Sequence, residues 1–103
     1  LPLDGTLSAV ARKKSQDMVN HHYFAHISPT LGNANKMLTD SGYAFVSVGE
    51  NIGRHASVEK AHAAFMSSTA HKRNILGSQW EKVGIGIALD ANGYPYITQL
   101  FVR

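Results

Sequence analysis

The last third of the chain constrains the fold most. "VGIGIAL" (residues 83–89) is a short continuous apolar run, "DANG" (90–93) has the residues of a tight turn, and "YPYITQLFV" (94–102) is a second strand-length run. Two such runs around an Asn-Gly turn predict an antiparallel hairpin, 83–89 with 95–102. Everything upstream has to be read as what covers or extends that hairpin.

Four segments read as helix. Leu7, Val10, Ala11, Met18 and Val19 recur at helical spacing, Asp4 or Thr6 can cap, and "RKKSQD" falls on the solvent face; this helix runs to about Asn20. "NANKMLTDSG" fits a shorter helix buried through Met37 and Leu38 and stopped at Gly42. Ser57 caps a third helix with an apolar stripe of Val58, Ala61, Ala64 and Phe65, and "SSTAHKRNILG" suggests a short fourth ended by Gly77. Residues 43–48 are strand-like and should join the hairpin's sheet. Strands not regularly alternated with helices favour an antiparallel α+β arrangement with helices on the sheet faces.

At 103 residues this is one domain with room for a real core. The net charge of +3 is scattered, with "RKK" at 12–14 the densest run, which argues against a nucleic-acid groove. The absence of cysteine removes disulfides, thiolate metal sites and cysteine nucleophiles together. No apolar run approaches the roughly 18 residues of a membrane span. The start, "LPLDGTLSAV", has no methionine and no signal segment, and reads as a mature or trimmed domain.

Six histidines in so short a chain draw attention: His21, His22, His26, His55, His62 and His71. Imidazole is a common metal ligand that titrates near physiological pH. Yet no H-E-x-x-H is present, and His22 and His26 share i, i+4 spacing only where the first helix is ending. Taken singly, His21, His22 and His55 read as structural or exposed. His26, in "YFAHISP", is a polar side chain held in an irregular aromatic segment. His71 falls in the first turn of the fourth helix, where the dipole disfavours protonation and suits the ring to accept a hydrogen bond or a cation; the plain alternative is a capping role. Glu50, in "SVGENIGRH", reads as lying on the turn after the 43–48 strand, with glycines at 49 and 53 allowing a sharp bend or a close approach. An inward carboxylate there needs a partner, an imidazole or a metal ion. Ser28, Ser47 and Ser68 lie near these groups, but no nucleophile elbow accompanies them.

In order and spacing, "YFAHISP", "GENIG", "SSTAHKRNIL", "VGIGIAL" and "YPYITQLF" resemble the CAP superfamily (cysteine-rich secretory proteins, antigen 5, pathogenesis-related 1), and within it the bacterial SCP-like extracellular proteins. The resemblance implies a single domain over 1–103, an α-β-α sandwich with a central antiparallel sheet and an open cleft. It also implies that the extra N-terminal helix usual in bacterial relatives is missing. In the family the cleft carries two histidines and two acidic residues, and in several members a cation such as zinc. Carried over by motif, the histidines are His26 and His71, as metal ligands, and the first glutamate is Glu50, facing both. The second acid falls at Lys60, with Glu59 one residue earlier; a one-residue shift turns a helical side chain by about 100°, so either Glu59 adjusts into the cleft or the set is incomplete.

The expectation for function is a secreted or surface-attached monomer, a binding module whose cleft holds zinc weakly. Its ligand would be an extracellular protein, lipid or cell-wall component. The alternative is a metal-dependent hydrolase with Glu50 as general base. Two histidines without a certain third ligand make a weak site, which favours binding.

Overall fold

Residues 2–103 are described by a computed structural model. In chain order the elements are α1 (Gly5–Asn20), α2 (Ala34–Asp40), β1 (Val48–Arg54), α3 (Val58–Ser67), α4 (Thr69–Ile75), β2 (Lys82–Leu89) and β3 (Pro95–Val102). Local chemistry sets most of the boundaries. Asp4 accepts from the Leu7 amide, Asn33 from Lys36 and Ser57 from Lys60, so three helices begin at side chains that satisfy otherwise orphaned N–H groups. Gly42, at φ +71°, turns the chain out of α2 as expected.

The sheet is antiparallel with β3 in the centre, flanked by β1 and β2. The hairpin forms in the expected register, Val83 opposite Phe101 and Leu89 opposite Pro95. The third strand, however, is 48–54 rather than 43–48. Its place is set by pairing with β3, from Val48 opposite Val102 to Arg54 opposite Tyr96. Tyr43 and Phe45 pack against the core from an irregular approach segment instead. Glu50 is therefore a strand residue and not a turn residue.

Helix α1 lies across β2 and β3 on one face, and α3 with α4 cover the β1 side of the other, giving the α-β-α layering. The close approach of α1 depends on Gly84 and Gly86 beneath it. A Cβ on Gly86 would fall 2.0 Å from the Arg12 backbone nitrogen. Leu7, Val10, Ala11, Met37, Leu38, Leu100 and Val102 make the largest core cluster, with Ala61, Phe65 and Ile97 joining α3 to the sheet.

The solvent face assigned to "RKKSQD" needs correction, because Lys14, Ser15 and Asp17 are buried. Ser15 donates to the Gly86 carbonyl at 3.0 Å and shares a 2.7 Å hydrogen bond with Thr98. Asp17 accepts from Tyr23 (2.6 Å), Ser28 (2.5 Å) and Thr30 (2.8 Å). Burial alone would push its carboxyl up, but these hydrogen bonds and the neighbouring His21 outweigh it and hold it below the usual range. In this way the segment after α1 is tied down over the helix, and that segment carries His26.

Candidate functional site

Strand β1 has two unlike faces. Gly49, Asn51 and Gly53 point toward α3, α4 and Trp80; Glu50, Ile52 and Arg54 point toward α1 and the His26 segment. The glycines serve close approach, not a bend: a Cβ on Gly49 would meet the Trp80 ring at 2.8 Å, and one on Gly53 the Phe65 ring at 2.7 Å. Asn51, fully buried, donates to the His71 carbonyl and to the Gln99 side chain, both at 3.0 Å. Asn74 donates to the Asn51 side chain at 2.9 Å and to the Glu50 carbonyl at 3.3 Å. The amide network seats α4 on β1 and so fixes the backbone of His71.

Between α4 and the His26 segment lies a cleft of ≈ 510 Å³, walled by Phe24, Ile52 and Phe65, with His26, His55 and His71 on it. The two histidines of the motif reading thus line one cleft. The His71 ring packs on Phe65, centroids 5.0 Å apart, and its Nδ1 is buried without a hydrogen-bond partner. Burial, and then the nearby His26 and His55, hold His71 below the ordinary value of 6.5. The first-turn position pointed the same way, but burial is the main cause.

This gives a signed prediction. The unfolded chain takes up the His71 proton at higher pH than the folded domain, so stability falls as pH drops below 6.5 toward the folded-state midpoint. NMR titration of the ring protons should give a midpoint below 6.5; one at or above it contradicts the buried placement.

Glu50 is placed differently from the expectation. It contacts His26, Nδ1 to Oε1 at 2.7 Å, and lines a separate polar depression with Asn33, Asn35 and Ser47. It touches His26 directly and is not among the residues that line the cleft. Its side chain is 5% exposed and Oε2 is buried without a partner. Burial pushes its carboxyl above the ordinary range, while the hydrogen bond from His26 and the charge of Lys14 pull the other way. When Glu50 is ionised it can only accept, and the 2.7 Å contact then takes its proton from His26 Nδ1.

Glu59 and Lys60 are both exposed in the first turn of α3, and neither lines the cleft. The helix buries Ala61 and Phe65, and two residues of separation turn Glu59 about 200° from Ala61. His55, set aside on sequence, does line the cleft. It follows β1 directly, and no local pattern distinguishes it. His21 hydrogen-bonds back to Asp17, outside the cleft. A larger, more open depression of ≈ 670 Å³ beside Lys72, Arg73 and Gln79 holds none of these groups.

Among the described residues no three His, Cys, Asp or Glu side chains gather as a metal-holding group. A resident zinc centre takes three or four protein ligands.

Comparison with known proteins agrees with the architecture. The family model described as the cysteine-rich secretory protein family (CAP) matches residues 1–101. The Bacillus subtilis protein YkwD is 40% identical over 87 residues, which are 84% of this chain and 34% of that protein. An extracellular protein containing a SCP domain from Bacillus anthracis superposes with a TM-score of 0.89 at 33% identity, over 100% of this chain and 33% of that one. An outer surface protein of Borrelia burgdorferi shares the fold at 16% identity, with a TM-score of 0.90 over 100% of this chain and 77% of its own. The chain thus spans about a third of the two Bacillus relatives.

Proposed function

The chain belongs to the cysteine-rich secretory protein (CAP) family, and on that premise we propose that it works outside the cell as a non-catalytic binding domain. The ligand enters the cleft between α4 and the His26 segment. It presents an apolar group to Phe24, Ile52 and Phe65, and a hydrogen-bond donor or a cation to His26 and His71. The observation that carries this reading is the pairing of an apolar wall with two imidazoles, His26 oriented by a buried carboxylate and His71 kept neutral by burial. Among the described residues no helix is long and apolar enough to cross a membrane. The Bacillus anthracis relative is an extracellular protein, which supports an extracellular setting.

A divalent cation such as zinc would be a weakly held guest of the two imidazoles, with water or ligand oxygen completing its shell. Binding is favoured over metal-dependent hydrolysis, because two histidines without a third gathered ligand make a weak catalytic centre and the glutamate that would act as base is engaged with His26. Zinc added at neutral pH should shift the ring signals of His26 and His71 and leave His21, His22 and His62 in place. Equal movement of all six histidines, or movement of His21 and His22 alone, would remove the cleft from consideration.

A further inference from the structure

We propose that Lys14 is the positioning residue of the cleft: it holds His26 against Glu50 and so decides which ring nitrogen His26 offers to a ligand. The inference rests on the reading of His26 as a ligand contact. Lys14 is fully buried in the second half of α1. A buried ammonium is expensive unless paired and hydrogen-bonded, and each of its interactions converges on the His26 segment. Its Nζ donates to the His26 carbonyl at 2.8 Å and lies 5.1 Å from the centre of the Tyr23 ring. Burial pulls the lysine down, and the carboxylates of Glu50 and Asp17 push it back toward the charged form.

Lys14 therefore secures the His26 side of the 2.7 Å His26–Glu50 contact, through the His26 backbone. Side chains outside the segment fasten it at two places. Asp17 binds Tyr23, Ser28 and Thr30 on either side of the cleft wall, and Lys14 with Glu50 binds His26 in the middle. His26 itself is 59% exposed, so packing does little to fix its ring. Without the ammonium the carbonyl loses its donor, the segment loses its central tie to α1, and the imidazole is free to leave the carboxylate. A free ring populates both tautomers, and Nε2 is no longer an obligatory acceptor.

Long-range proton–nitrogen NMR of the histidine rings, on the ligand-free chain, reads this directly. In the wild type His26 should show the Nδ1–H tautomer. In Lys14→Met, which keeps the length and drops the charge, it should show a mixture, while His71, seated by Asn51 and Asn74, keeps its wild-type spectrum. An unchanged His26 tautomer in folded Lys14→Met would overturn the proposal. Should that variant fail to fold, the wild-type lysine ammonium signals decide: Lys14 protons are expected to exchange with water far more slowly than those of the surface lysines, and equal rates would overturn it. Because no ligand is added, a failed zinc titration leaves this result standing as a statement about His26, so the two claims fail separately.

Discussion

Gly86→Ala is expected to destabilise the domain by at least about 3 kcal/mol, although alanine is the smallest side chain that can be placed there. The added Cβ would lie 2.0 Å from the Arg12 nitrogen and 2.3 Å from the Ala11 carbonyl carbon and Arg12 Cα. These are backbone atoms of α1, and they cannot rotate aside as a flexible side chain would. The helix has to lift from β2, which stretches the Ser15 hydrogen bonds to the Gly86 carbonyl and Thr98 and uncovers Ala11. Gly5→Ala is the control. It stands in the first turn of the same helix with nothing within 4 Å of its added carbon, and should change stability by less than about 1 kcal/mol. Urea unfolding of both variants checks the pair. A Gly86→Ala cost within about 0.5 kcal/mol of zero would mean that α1 does not sit on the sheet as described.

Phe65→Ala should cost about 3–5 kcal/mol, as a large-to-small change in a packed core. The ring is 2% exposed, stands over Gly53, and joins Ala61 to Ile97 across the helix–sheet interface. It is also the wall on which the His71 imidazole rests. The same substitution should therefore move the His71 ring signals as well as the unfolding midpoint. Stability within about 0.5 kcal/mol of wild type would contradict the placement of α3, and with it the account of why Glu59 stays out of the cleft.

The elements that can be read from the chain are those specified by neighbours in sequence. The hairpin, the caps at Asp4, Asn33 and Ser57, and the stop at Gly42 all follow from residues a few positions apart. β1 does not. "VGENIGR" has a single large apolar residue near its middle, Ile52, and becomes a strand because β3 pairs with it, whereas the more strand-like "YAFV" lays only Tyr43 and Phe45 on the core and does not join the sheet. The burial of Lys14 and Asp17 escapes a local reading for the same kind of reason. Nothing near them in sequence says that residues 21–31 fold back over α1 and cover them. At the site, the motifs point to His26, Glu50 and His71, and the structure brings the two histidines to one cleft. The contact of Glu50 with His26, and the presence of His55, depend on strand register and on the path of the chain after Arg54, which spacing alone does not encode.

The most direct test of a shared cleft is calorimetric zinc titration at neutral pH of the wild type, His26→Ala, His71→Ala and the double variant. Two imidazoles that contact one ion are coupled, so either single substitution should remove most of the binding heat and the double should remove little more. Losses that add across the two positions, or a wild-type heat no larger than that of the double variant, would contradict a common site.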